Sequence, residues 1–354
     1  MTTYAHIADL PLEIEGYALE GLEEEVSSGF ARRTTIVRVF GAGVEGRGED
    51  VTYDRDEQAA FQDAGPVHDV AGRHTVHSFS TLVGSLDLFP GGAPEVPGWR
   101  LYRQWGFESA ALDLALRQAG RSLADVLGRT PAPVRFVVSK RLPKPPSVEP
   151  LGRLLTLYPG TRFKLDPTSD WTPEIVAELA ALDAVETVDL KAAYRGTSVD
   201  QPTDPSLYRL VADAFPDAII EDPDLVDPAA EAVLRPHRDR VSWDAVIHSV
   251  ADIDALPFPP ATLNIKPSRF GSLSALFDTY DYCDASSIRL YGGGQFELGP
   301  GRGQIQYLAS LFHPDAPNDV APTGYNEPEP GPGLPASPLE PLLDPVGFRW
   351  SREL

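Results

Sequence analysis

The sequence predicts an α/β protein: a modified TIM-type (β/α) barrel over residues 131–325, behind an α+β region over residues 1–130. Three observations carry this reading. From residue 133 onward, short apolar runs that read as strands alternate with helical stretches, at a spacing of roughly 22 to 32 residues. That is the period of repeated strand–loop–helix units. Six or seven such units in an uninterrupted row fit a closed parallel barrel better than an open doubly wound sheet. Residues before about 100, by contrast, read as antiparallel strands joined by turns.

Taken in order, TTIVRVF and GEDVTY are strand-like runs around GAGVEGRG. Because this Gly-rich turn lies between two strands and not between a strand and a helix, it reads as a hairpin turn and not as a phosphate loop. WGFESAALDLALRQAGRSLADVLG (105–128) is helical by its Ala/Leu spacing, with Gly120 as a stop. The barrel strands follow: PVRFVVS (133–139), RFKLD (162–166), VETVDLK (185–191), DAIIED (217–222), RVSWDAV (240–246), TLNIK (262–266) and SSIRLYGGG (286–294). Helices fall between them, the first capped by Ser169, Asp170 or Thr172. No clear eighth strand is marked. The acidic, Pro-rich stretch 326–345 cannot be helical, and reads as an extended wrap or a loose tail. Phe348 and Trp350 are expected to bring segment 326–354 back onto the N-terminal domain.

Composition narrows the function. The net charge of −22 opposes nucleic-acid binding, which needs a basic face, and opposes docking on an anionic membrane. A small anionic substrate stays open, because charge in a cleft can oppose the global sign. No run approaches the roughly 20 apolar residues that span a bilayer. The N-terminal residues lack a signal-peptide pattern, so a cytoplasmic protein is expected. One cysteine, Cys283, leaves no disulfide or multi-cysteine zinc site. The seven histidines show no HxH or HExxH spacing. His313, in LFHPDAPND, is the one placed to act as a late-strand acid. No GxSxG occurs, so a serine nucleophile is unsupported.

In a parallel barrel the reactive groups stand at the C-terminal strand ends. Those ends hold Lys164 and Asp166, Asp189 and Lys191, Glu221 and Asp222, Asp244, and Lys266. Residues two apart share a face, so Lys164 with Asp166, and Asp189 with Lys191, point the same way. Only five lysines occur among the thirty basic residues, and three of them end barrel strands. Acids converging from adjacent strands repel one another, and a divalent cation relieves that repulsion. An all-oxygen donor set suits Mg²⁺. A cation there favours loss of a proton next to a substrate carboxylate, by stabilising the enediolate. Lysines flanking it are expected to have depressed pKa values and to serve as bases.

With these residues the chain resembles the enolase superfamily, in its muconate-lactonizing-enzyme and mandelate-racemase-like branches. TTIVRVFGAGVEGRGE is similar to the family's capping domain, and ESAALDLALRQAGRSLADVLG to the helical lead into its barrel. The resemblance puts the metal ligands on Asp189 (VDLK), Glu221 (IIEDPDL) and Asp244 (SWDAV). It puts the second-strand lysine on Lys164 (FKLD) and the sixth-strand lysine on Lys266 (LNIKPSR). It implies an obligate Mg²⁺, an enediolate intermediate, and a substrate choice set by capping-domain loops around 15–30 and 50–65. The chain departs from the pattern twice. Lys-x-Lys on the second strand is here Lys164-x-Asp166, and Asp-x-Asn on the third is Asp189-x-Lys191.

The working base is therefore read as Lys266 or Lys191, with Asp166 paired to a lysine. This favours a one-base elimination, making a lyase, over two-base epimerisation or cycloisomerisation by an isomerase. Lys191 has a second reading, as a neutraliser of the acids, and Asp166 a second reading as a turn residue before Pro167. Asp222 and Asp224 read as turn-capping acids. GGGQFELGPGRG (292–303) is either an anion-binding loop or a structural one. A barrel that binds metal without catalysis is the reading from another class. The expected partner is a small carboxylate substrate, with a homo-oligomer left open.

Overall fold

The structure, a computed structural model, describes residues 2–26, 31–195, 200–342 and 346–350. Its N-terminal part contains β1 (Pro11–Ile14), β2 (Gly16–Glu25), β3 (Ala31–Gly41), β4 (Val44–Asp50) and β5 (Gly72–Thr75). β2, β3 and β4 form an antiparallel sheet, and β1 pairs with β5. The stretch around 15–30, expected as a loop, is mostly β2, paired along its whole length with β3. Charge supports the pairing at Glu23, which faces Arg33 across the ladder and forms an ion pair with it at 2.5 Å. Residues 27–30 lie outside the described residues. The 50–65 stretch turns at Asp54, whose carboxylate accepts from the Asp56 and Glu57 amides and caps α1 (Arg55–Ala64).

The GAGVEGRG stretch is the β3–β4 hairpin, with Ala42 and Gly43 both at positive φ. Its later glycines have another cause. After α2 (Val76–Ser85), the long helix α3 (Trp99–Gln118) lies against β4. A Cβ on Gly46 or Gly48 would stand 2.2 Å from the carbonyl oxygen of Ala110 or Gly106. Only glycine admits that approach. α4 (Leu123–Leu127) then leads into the second part.

The barrel is built on β6 (Val138–Lys140), β7 (Phe163–Leu165), β8 (Val185–Asp189), β9 (Ile219–Glu221), β10 (Val241–Ser242), β11 (Thr262–Ile265) and β12 (Arg289–Gly292). β6 to β10 pair in parallel in chain order, as do β11 and β12. The Asn264 amide donates to the Trp243 carbonyl at 3.1 Å and links the two groups. The unmarked eighth strand lies at Asn318–Asp319. Asn318 bridges Phe136 and Asp319 bridges Gly293, both in parallel, which closes the ring. With so few residues, it has no alternation for a sequence to display.

Helices cover the outside: α5 (Glu149–Leu157), α6 (Pro173–Ala181), α7 (Pro205–Ala214), α8 (Pro228–Leu234) and α9 (Val250–Asp254), then, after the short buried α10 (Pro267–Phe270) packed on α3 at the mouth, α11 (Leu273–Ala285) and α12 (Pro300–Phe312). Of the three cap residues considered for α6, Thr172 is the one used, and Asp204 and Asp227 cap α7 and α8. The Pro-rich segment divides its contacts. Tyr325 packs on Phe136 and Tyr158, and Leu339 bridges Val134, so this portion seals the outside of the first strand. Farther on, the Phe348 amide donates to Asp113 of α3, and Arg349 reaches Asp113 and the Glu45 carbonyl of β4. Among the described residues no helix is long and apolar enough to cross a membrane.

Candidate active site

The acids and lysines singled out from the sequence meet at the C-terminal mouth of the barrel. Asp189 ends β8 and Glu221 ends β9, and the two are ladder partners. Asp244 follows β10 by two residues, and Lys266 follows β11 directly. All three carboxylates are fully buried. Asp189, Glu221 and Asp222 each offer an oxygen within 4.8 Å of the others, a set that can hold a metal ion. Asp244 stands beside this trio, turned to two cations: Lys266 Nζ at 2.8 Å and Arg269 Nε at 3.1 Å. Asp222 holds the neighbouring strand end, its two oxygens accepting the Asp244 and Ala245 amides at 2.8 and 3.0 Å.

Lys164 occupies the centre. Its Nζ lies 2.5 Å from Glu221 Oε1, 3.0 Å from Asp189 Oδ2 and 3.5 Å from Asp319 Oδ2. Lys191 bonds Asp189 and stands 3.5 Å from Asp166 Oδ1. The two departures from the family pattern thus face each other: the second strand carries the acid and the third strand the lysine. Lys191 and Asp222 both have positive φ, 55° and 46°. Non-glycine residues adopt that region at a cost of order 1 kcal/mol, and such strain gathers at functional sites.

Depression is the expectation for lysines beside a bound cation; the protein's own acids act on Lys164 and Lys191 in the other direction. Burial opposes their charge, but Asp189, with Glu221 for Lys164 and Asp166 for Lys191, outweighs it and raises both. Burial opposes charge on Asp189 too, yet Lys164 and Lys191 hold it well below the carboxylate range. Asp244 is held low against burial by Arg269 and Lys266. Burial and then the Asp189 charge push Glu221 up to about 8. Burial, with Asp244 and Asp189 next to it, lifts Asp222 to about 6. A cluster that strains against its own negative charge fits a hard divalent cation. Its ligand atoms are all carboxylate oxygens, the donor set that such a cation prefers.

Several residues at the mouth escaped the sequence reading. Asp319 lies on the strand too short to see. Arg269, three residues after Lys266, donates to Tyr194 Oη at 2.8 Å and to the Ala245 carbonyl at 3.0 Å. Asn264, two residues before Lys266, shares its inward face and donates to Glu221 Oε1 at 3.3 Å. The period-2 rule applied to TLNIK was enough to find it. Two other expectations end differently. His313 terminates α12 on the far side of the eighth strand from the acids, bonded to Asn318 and Tyr280, and burial lowers it to about 4. In the GGGQFELGPGRG loop, the Leu298, Gly299 and Gly301 amides already donate to the Glu49 carboxylate at 2.7 to 3.0 Å. The anion that loop binds is the chain's own.

Two family models match the chain, Domain of unknown function (DUF8230) C-terminal domain over residues 130–327 and its N-terminal domain over residues 5–126. The chain is 31% identical over 263 residues to "N-succinylamino acid racemase" from Amycolatopsis sp, covering 68% of this chain and 70% of that one. It is 28% identical over 237 residues to "o-succinylbenzoate synthase" from Bacillus subtilis, covering 61% and 58%. The solved dipeptide epimerase of Enterococcus faecalis V583 shares the fold at a TM-score of 0.69 and 15% identity, over 96% of this chain and 100% of that one. These relatives are enzymes by name, of isomerase and synthase types. By fold, family match and relatives, the chain belongs to the enolase superfamily, within the DUF8230 family.

Proposed function

We propose that this protein is a Mg²⁺-dependent enzyme that removes the α-proton of a small carboxylic acid and carries the resulting enediolate into an elimination. One observation supports this above the others: a buried trio of carboxylates flanked by Lys191 from the third strand and Lys266 from the sixth. Asp189 and Glu221 would hold the cation, with Asp222 or Asp244 as the third ligand. When bound, it supplies the positive charge that makes a carboxylate's α-proton acidic enough to remove. The protein's own groups do the rest. Lys164 sits against Asp189 and Glu221 and fixes their orientation. Lys266, drawn to Asp244, and Lys191, drawn to Asp189 and Asp166, stand three strands apart around the mouth. Each is placed to take or return a proton on its own side of a substrate lying between them. Asp166 faces a second cation besides Lys191, with Arg141 Nε 3.8 Å from its Oδ2.

A second reading, racemisation or epimerisation, draws on the same pair of lysines and on the racemase name of the 31% relative. The two differ in their product. Calorimetry with MgCl₂ is the first test, with uptake by the wild type expected and loss of uptake expected in Asp189→Asn. Incubation of N-succinylated amino acids and hydroxy acids in D₂O then separates the outcomes. Loss of a leaving group supports the lyase, and deuterium incorporation with inversion supports the isomerase. A metal-binding barrel that exchanges no α-proton in any such acid overturns both.

A further inference from the structure

Below the carboxylates, the barrel interior carries a layer whose members are neighbours in ladder register. Glu221 pairs with Ser242, and Asn264 pairs with Tyr291. Register partners in parallel strands point to the same side, so all four face the barrel axis. Tyr291 Oη donates to Glu221 Oε2 at 2.6 Å and lies 3.0 Å from Ser242 Oγ. The other oxygen of Glu221, Oε1, accepts from Lys164 at 2.5 Å and from Asn264 at 3.3 Å. Both oxygens of this acid are therefore gripped from inside the barrel, Oε2 by a neutral phenol alone.

We infer that Tyr291, oriented by Ser242, is a positioning residue that fixes the rotation of Glu221 and so sets the affinity of the site for a divalent cation. The inference rests on the metal-site reading above. Tyr291 has no exposed surface, so it cannot touch a substrate and acts only through Glu221. A ring that merely filled the barrel would need no hydroxyl, and a buried phenol demands a partner. Partners that orient a ligating carboxylate in this way commonly govern metal affinity by ten- to a hundredfold. The strand order leads to the same residue. The seventh strand ends in Gly292 and Gly293, and a Cβ on Gly293 would stand 2.8 Å from Lys266 Cε. That strand thus offers space at the mouth and its hydroxyl one layer beneath.

The test uses the full chain. Mg²⁺ affinity is measured by calorimetry, and Mn²⁺ uptake by the loss of the free-ion paramagnetic resonance signal. Tyr291→Phe keeps the ring and removes the hydroxyl, and it is expected to weaken both affinities by about tenfold or more. Ser242→Ala, which leaves the phenol without its orienting partner, is expected to weaken them by a smaller factor. The melting temperature without metal reports folding. A folded Tyr291→Phe protein binding within about twofold of wild type overturns the inference. If that variant does not fold, unchanged affinity in Ser242→Ala overturns it instead. A wild-type chain that binds neither ion overturns the metal-site reading beneath it, which is a distinct result.

Discussion

At the residue scale, the proposed chemistry rests on two lysines and one displaced acid. Lys191 carries its charge from the third strand to within 3.5 Å of Asp166, where a second lysine of Lys-x-Lys would have stood. Exchanging the pair keeps a lysine at this side of the mouth while changing the strand that supplies it. Lys266 faces it from the other side, held by Asp244. Replacing either lysine with alanine is expected to lower α-proton exchange by about 10²- to 10⁴-fold, the usual contribution of a positioned base. Lys266→Ala and Lys191→Ala should nevertheless retain Mg²⁺ binding. Exchange rates in D₂O, followed by proton resonance beside a metal titration, check both halves. Full exchange in Lys266→Ala would remove that residue from the reaction.

Among the elements, the loop and helix after β12 decide how the two parts of the chain meet. Glu49, at the end of β4, takes three amide donors at the start of α12. A carboxylate suits that place, because a helix N-terminus carries partial positive charge and unpaired amides. Arg32 secures the same loop from β3, donating to the Gln295 carbonyl at 3.0 Å. Glu49→Ala would leave three buried amides without acceptors, and it is expected to destabilise the protein by roughly 3 kcal/mol. Glu49→Gln, which keeps an acceptor, is expected to be milder. Chemical denaturation of the two variants against wild type measures the difference, and equal stability of Glu49→Ala and wild type would exclude the latch.

For the molecule as a whole, a second buried acid ties the N-terminal part to the barrel and makes stability depend on pH. Glu108 on α3 accepts from the Leu273 amide of α11 at 3.3 Å. Burial raises its pKa from 4.5 to about 7, against the lowering effect of its hydrogen bonds. The folded state therefore binds this proton more tightly than the unfolded state. The contribution is complete below pH 4.5 and is lost as pH rises through 7. Glu108→Gln mimics the protonated form, so it is expected to stabilise the protein at pH 8 by on the order of 3 kcal/mol. Near pH 4.5 the variant and wild type should differ little. Melting temperatures of both proteins across that range test the sign, and a constant difference would contradict it.

The sequence by itself determined the barrel, because its period is local: each strand–helix unit is written in one continuous stretch. It also put Asp189, Glu221, Asp244, Lys164 and Lys266 at or beside strand ends, because those ends are readable where apolar runs stop. Only the tertiary structure decided which of these touch. It grouped Asp222 with Asp189 and Glu221, turned Asp244 toward Arg269, and set Lys191 beside Asp166. It also located the eighth strand, too short to show a period, and placed Glu49 in the loop some 250 residues later in the chain. The neighbouring acids, acting against burial and not through the lysines' own sequence positions, raised Lys164 and Lys191. Strand ends are local facts. Contacts between them, and the charges those contacts create, exist only once the barrel has closed.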